Sequence, residues 1–427
     1  MIGRNVVHRM SVLARPAASL RCIAFAGGAP LCRLHSADRS ARPRHVGAIQ
    51  NTPHLKRKLG QHLLVNEKIL SQIVDAAAIP RILSDKQVAI NAAPAPTGED
   101  GEELERPPAA VRILEIGPGT GNLTSALLNI APTVDVHVVE YDARMVERLK
   151  ERFVDELASE RLRIENIDFE EFAFAKQLEP LVPKAHKRVS IRNRAKARQR
   201  ATAAAAAVAE NERRHFDACV ANIPYQLSSI IISRLTNYMY RFPDRMQCAV
   251  LLVQEEFAQR LLAKSGTQNY SRLSVNTALI ADVTSIVPVG RHHFLPPPKV
   301  DSRVIMLTPK PRDNDDSNLS QVLPDDADEE KFFQRFDTLL RIAFTRKNKT
   351  LRAALLSSTA KSLMEKETQE TLSKGELTAR VEAALEATDL STKRAVQLPV
   401  HDFKRLMDEL SARGIVFRVS ETRHFRD

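Results

Sequence analysis

No apolar run in this chain approaches the roughly 20 residues a membrane-spanning helix needs, so its 427 residues are expected to form a soluble protein with no membrane partner. Cysteine is scarce. Of the four present, Cys22 and Cys32 fall in the first fifty residues, and Cys219 and Cys248 have neither a CxxC spacing nor histidine-rich surroundings. That argues against a cysteine metal site, agrees with a reducing compartment, and leaves both as small buried apolar residues. His292 and His293 have no second ligand cluster, and no metal is expected. Acids are nearly missing from residues 1–50, which hold eight Arg, no Lys and Asp38 alone among Ser, Ala and small apolar residues. This is the composition of a mitochondrial transit peptide, which places the protein in the mitochondrial matrix. The alternative is a basic tail on a nuclear, nucleolar or cytosolic protein.

The formal charge of +11 invites a nucleic-acid reading, but its distribution matters more than its sum. Residues 1–50 contribute +7, and residues 184–214, with ten Lys or Arg against Glu210 and Glu212, contribute +8, so the remainder is slightly acidic. Any broad basic face elsewhere must come from arrangement rather than excess.

Along the chain, residues 56–77 read KRKLGQHLLVNEKILSQIVDAA. Leu63, Leu64, Ile69, Leu70, Ile73 and Val74 recur at helical spacings, so the end of this stretch is expected to be an amphipathic helix, preceded by a polar loop KLGQHLL. A Pro-, Gly- and acid-rich stretch at 91–110 reads as a solvated insertion. Val111–Ile116 is then a buried strand, Gly117–Gly121 a tight glycine loop and Leu123 onward a helix, the opening unit of a nucleotide-binding sheet. A second strand ends at Glu140, placed to accept from ribose hydroxyls. A third runs to Asp168, where a carboxylate could meet an adenine amine. The loop reads G-x-G-x-G, whereas a dinucleotide loop reads G-x-G-x-x-G. A nucleoside with a short charged tail, such as S-adenosylmethionine, suits it better than NAD.

A basic segment comes next, and then FDACVA, a fourth strand leading into Asn222-Ile223-Pro224-Tyr225. An amide, a rigid proline and an aromatic face at the carboxyl end of such a strand can hold a flat base by its exocyclic amine. They also make an ordinary turn. The basic segment, residues 184–214, is either a solvated arm or helix or a phosphate contact to RNA. Downstream, Met246–Val253 is a buried strand, QEEFAQRLLAKSG a helix closed by Gly266, and NYSRLSVNTALIADVTSIVPV resumes the sheet. A rigid proline loop carrying Phe294 leads into a strand over Arg303–Leu307. Residues 313–330, with eight acids, read as a linker, and the remainder as a smaller helical domain.

Ten of these stretches in order resemble the ribosomal RNA adenine N6-dimethyltransferase family, its mitochondrial members included: KLGQHLL, ILEIGPGTGNLT, VVEYD, ENIDF, VANIPY, QEEFAQRL, YSRLSV, FLPPPKVDSRV, FTRKNKTLRAAL and, more loosely, LPVHDFKRLMDEL. The resemblance implies an α/β fold, a Rossmann-like S-adenosylmethionine-dependent methyltransferase domain over 51–312, with insertions near 85–110 and 175–214 that lie outside the family pattern. It implies a C-terminal helical RNA-binding domain over 331–427. By the same resemblance Gln61, His62 and Leu64 line the cofactor pocket with Gly117 and Gly119, Glu140 takes the ribose, Asp168 the adenine, and Asn222 lies between cofactor and target base. Tyr225 and Phe294 would stack on the two faces of that base. Two departures stand out. Leu63 replaces a usual Phe, and Asn166-Ile167-Asp168-Phe169 replaces Gly-Asp-Ala.

The implied activity is dimethylation of adenosine N6 in small-subunit ribosomal RNA, by a monomer bound to the assembling small subunit. The competing class is a mitochondrial ribosome-assembly or transcription factor that keeps the fold without the chemistry.

Overall fold

The computed structural model describes residues 62–93, 106, 108–172, 174, 215–242, 244–311, 329–366 and 373–417. The arginine-rich first fifty residues, Gln61, the basic insertion 175–214 and residues 313–328 of the acidic stretch lie outside the described residues.

The first described element is a two-residue strand, β1 (Leu63–Leu64), followed by helices α1 (Glu67–Ala76) and α2 (Ile79–Ala92). The leucines do not join the helix, as their spacing suggested. Leu63 and Leu64 pair antiparallel with Leu295 and Phe294 of β8 (Phe294–Leu295). Asn66 then starts α1, its side chain accepting from the Ile69 N–H at 3.1 Å. The stretch 85–92, expected to open a solvated insertion, belongs to α2. There Lys86 pairs with Asp217 at 2.9 Å and the Gln87 side-chain Oε1 accepts from the Ala109 N–H at 2.9 Å, which ties the helix to the sheet.

The main sheet contains β2 (Val111–Ile116), β3 (Val134–Val139), β4 (Leu162–Glu165), β5 (Ala218–Asn222), β6 (Cys248–Gln254), β7 (Ala281–Val289) and β9 (Ser302–Pro309). Its seven strands run in the order β4-β3-β2-β5-β6-β9-β7. The first five are mutually parallel, and β9 and β7 form an antiparallel edge. Parallel strands covered by helices on both sides are apolar on both faces. Val111 and Ile113 accordingly enter one core layer with α1 and with α3 (Asn122–Leu128), while Leu114 and Ile116 enter the opposite layer. Helices α4 (Ala143–Arg152) and α5 (Val154–Ala158) connect β3 to β4; α6 (Ser228–Arg241) follows β5, and α7 (Glu255–Leu262) follows β6.

The segment expected wholly to resume the sheet begins instead as helix α8 (Arg272–Ile280), with only its second half forming β7. Ser271 and Ser274 close a capping box at its start. Val275 and Leu279, four residues apart, are buried in a third core built mainly by the C-terminal segment. That segment comprises α9 (Glu329–Thr345), α10 (Leu351–Leu355), α11 (Ser358–Ser362), α12 (Lys374–Ala387) and α13 (Val400–Ala412), with a short antiparallel pair β10 (Met364–Lys366) and β11 (Ile415–Phe417). Cys219 and Cys248 are buried and unbridged. Among the described residues no helix is long and apolar enough to cross a membrane, and no group of three His, Cys, Asp or Glu side chains could hold a metal.

Candidate active site

The strand order reverses between β2 and β5, and in open α/β sheets the crevice beyond the carboxyl ends at that point is where ligands bind. The loop after β2 takes a backbone path that favours glycine, with φ of +66° at Gly117 and +57° at Gly119. Space closes the same positions. A Cβ on Gly117 would stand 3.3 Å from the Pro224 ring, and one on Gly119 2.9 Å from the Leu63 side chain. The loop after β5 and the strand β1 thus press directly on the glycine loop.

Glu140 follows β3 and is buried. Its two carboxylate oxygens are held apart by the backbone: one accepts from the Asp142 N–H at 2.8 Å, the other from Gly119 N–H at 3.3 Å. Burial pushes its pKa above the ordinary carboxylate range, opposed by those backbone donors. Asp168 lies beyond the end of β4, since that strand stops at Glu165. Its Oδ1 accepts from the Glu170 N–H at 3.0 Å, fixing the turn. Asn166, in the altered part of this loop, donates through Nδ2 to the Glu140 carbonyl at 2.8 Å, locking the two acid-bearing loops together.

On the other wall, Asn222 is the last residue of β5 rather than the first of the loop. Its Nδ2 donates to the His62 carbonyl at 3.1 Å. A carbonyl can only accept, so the nitrogen is assigned by chemistry and Oδ1 is left on the opposite side as an acceptor. The His62 ring is itself held, Nδ1 donating to the Pro296 carbonyl at 2.8 Å. It stacks on Tyr225 with ring centres 5.9 Å apart and planes 26° apart. The Tyr225 and Ser302 hydroxyls are 2.7 Å apart, and burial raises the Tyr225 pKa, so its ring is presented in the neutral form.

These elements enclose a cavity of about 380 Å³ that brings together His62, Leu64, Gly117, Gly119, Glu140, Asp168, Asn222 and Tyr225. Phe294 is not among its lining residues. It is 3% exposed and packed in the core, because pairing of β8 with β1 sets it opposite Leu64. The aromatic partner that the structure gives Tyr225 is His62. Sequence reasoning passed over Glu115 and Tyr141. Tyr141, 61% exposed, flanks the cavity beside Glu140. Glu115 stands on the cavity floor, 1% exposed, accepting from the Thr124 hydroxyl at 2.7 Å. Burial pushes its pKa up to about 8, so it is protonated at neutral pH. The available signal was a carboxyl inside the otherwise apolar strand VRILEI.

Tight glycines against a rigid wall, two carboxylates at successive strand ends and apolar Leu64, Ile116 and Met145 suit a nucleoside with a short polar tail. Fold and site together define a Rossmann-like methyltransferase, a class that implies S-adenosylmethionine. The family model for ribosomal RNA adenine dimethylases matches residues 53–390, and the chain belongs to that family. It is 31% identical over 369 residues to a probable dimethyladenosine transferase of Drosophila melanogaster, covering 84% of this chain and 92% of that protein. A mitochondrial ribosomal RNA small subunit methyltransferase of Arabidopsis thaliana is 34% identical over 297 residues, covering 70% of this chain and 55% of that one. Among solved structures, a dimethyladenosine transferase from Plasmodium falciparum superposes with a TM-score of 0.56 at 29% identity, covering 84% of this chain and all of that one.

Proposed function

We propose that the chain transfers methyl groups from S-adenosylmethionine, twice, to the N6 amine of adenosines in small-subunit ribosomal RNA, and that it works as a monomer on an assembling small subunit in the mitochondrial matrix. The observation that carries the reading is the orientation of Asn222. Its Nδ2 is bound to the His62 carbonyl, which commits Oδ1 to accepting from a ligand in the same cavity as Glu140 and Asp168.

When bound, the cofactor supplies an electrophilic methyl on a sulfonium. Gly117 and Gly119 would lie against its methionine portion, Glu140 would take the ribose hydroxyls and Asp168 the adenine amine, with His62 and Leu64 closing the pocket. The N6 lone pair of the target adenine is delocalised into its ring. Asn222 Oδ1 and the Ile223 carbonyl would accept the two N6 hydrogens, favouring a pyramidal nitrogen with its lone pair directed at the methyl. Tyr225 would stack on the extruded base. As the nitrogen–carbon bond forms and the sulfur–carbon bond breaks, the nitrogen gains a positive charge and releases a proton to water, so no side-chain base is needed. Catalysis is then positioning and electrostatics, which can lower a barrier by several kcal/mol.

Family membership supports the RNA substrate. So do Arg346, Lys347, Lys349, Lys393 and Arg394, all exposed on two loops of the C-terminal segment that a Thr350–Arg394 bridge holds side by side. The composition of residues 1–50 and the mitochondrial relative support the location. A reporter carrying residues 1–50 should enter the matrix; accumulation in the nucleolus would replace this location with the alternative.

The decisive measurement is transfer of labelled methyl groups to small-subunit ribosomal RNA. Asn222→Ala should lower the rate by about 10² or more, and equal incorporation by wild type and variant would sink the assignment. Deleting residues 184–214 should flatten the salt dependence of RNA binding, whereas an unchanged slope would remove that arm from the interface.

A further inference from the structure

A second cavity, of about 450 Å³, lies where α6, α7 and α8 meet α9, and it shares no lining residue with the first. The charged side chains on its walls are Arg260, Arg272, Arg341 and Asp337, a formal balance of +2. The single carboxylate is already engaged. Asn276 donates to one Asp337 oxygen at 2.7 Å, and Arg272 approaches the other at 3.4 Å. Arg260 and Arg341 have no such partner: their Nε atoms are buried with no hydrogen-bond acceptor among the described residues.

A buried N–H left unpaired is costly, and more so where it belongs to a charged group. Two such Nε atoms belong to cationic side chains on the walls of one cavity, where an anion could accept from both. Arg260 is held in place from below, its Cζ 5.4 Å from the centre of the Phe257 ring, while the Ser274 hydroxyl donates to its backbone carbonyl at 2.5 Å. Also lining the cavity, Ser229, Ser233 and Asn237 recur every four residues along α6 and offer uncharged donors. The planar fork of arginine matches the oxygens of phosphate bidentately, and a dianion balances the formal charge of the walls.

We propose that this cleft is a phosphate-binding site in which Arg260 and Arg341 hold the anion. The phosphoryl group could belong to an RNA strand or to a free nucleotide or inorganic phosphate. The RNA source rests on the function proposed above; phosphate binding as such does not, and it is read without any methyl transfer.

The test uses the full chain as wild type, Arg260→Gln, Arg341→Gln and Arg341→Lys, with circular dichroism to show that each variant is folded. Inorganic phosphate is titrated against chloride at matched ionic strength, with binding read by calorimetry. In parallel, binding of a small-subunit ribosomal RNA hairpin is followed across salt. Both Gln variants should bind phosphate at least about tenfold more weakly than wild type, with Arg341→Lys between them and wild type. If the phosphate comes from RNA, each Gln variant also lowers the log–log salt slope by about 0.9. If it is free phosphate, the slope stays unchanged while phosphate binding is lost. Equal phosphate affinity and equal RNA salt slope in wild type and both Gln variants would overturn the site.

Discussion

The two cavities hold their polar groups in opposite ways. Around the cavity at the carboxyl ends of the parallel strands, the acids and the amide are already held by neighbouring groups. Glu140 is bonded to the Gly119 and Asp142 backbone, Asn222 to the His62 carbonyl, and Glu115 to Thr124. In the cleft against α9, the buried Nε atoms of Arg260 and Arg341 have no acceptor among the described residues. The first is a preorganised site, where ordering is complete before a ligand arrives. The second is an unfinished one, where the ligand itself relieves the cost of burial.

Three further substitutions sharpen that contrast. The largest effect is expected at Glu115, on the floor of the preorganised cavity. Its folded carboxyl keeps its proton up to about pH 8, whereas the unfolded one releases it near 4.5. Stability from this group is therefore complete below pH 4.5 and declines between 4.5 and 8. Glu115→Gln, which mimics the protonated form, should match wild type near pH 4 and become more stable as pH rises, reaching on the order of a few kcal/mol by pH 8. Melting temperatures across that range measure it, and parallel pH profiles would refute the raised pKa.

Next is Glu140→Ala. It removes the expected ribose acceptor and also strands the Gly119 and Asp142 N–H groups, so it should weaken S-adenosylmethionine binding about ten- to a hundredfold and cost about 1–3 kcal/mol of stability together. Calorimetry and chemical denaturation separate the two. Lost affinity at unchanged stability would show that the carboxylate is not preorganised by those bonds.

The smallest effect, and opposite in sign, is expected in the cleft. Arg341→Met keeps the packing stem and removes the buried, unpaired Nε–H, so it should raise stability in phosphate-free buffer by about 1 kcal/mol. Destabilisation there would mean that Arg341 is held by partners and would collapse the contrast between the cavities.

The preorganised cavity was largely legible in the sequence because its groups come from loops after consecutive strands. Strands buried on both faces read as apolar runs, and the loops leaving parallel strands at their carboxyl ends all sit at the same edge of the sheet. That logic placed Gly117, Gly119, Glu140, Asp168, Asn222 and Tyr225 together. It did not extend to Phe294, whose proline loop suggested a stacking role, because the antiparallel pairing of β8 with β1 decided instead that its ring enters the core. Nor did it find α8. The β-branched residues around Val275 and Thr277 favour strand in isolation, but the Ser271 cap and burial of Val275 and Leu279 against the C-terminal helices favour helix. The cleft was not legible at all, since Arg260 and Arg341 lie far apart in the chain on helices whose spacing shows only amphipathicity.

By itself, the amino-acid sequence determined the class of sheet, the glycine loop, the acids at successive strand ends and the asparagine-proline-aromatic turn, because each depends on local backbone chemistry or short-range periodicity. Tertiary contacts alone settle which ring meets Tyr225, which way the Asn222 amide turns, why Glu115 keeps its proton and which arginine Nε atoms lack an acceptor among the described residues. Those depend on desolvation and on contacts between distant segments, such as Asn222 with His62, and no local pattern encodes them.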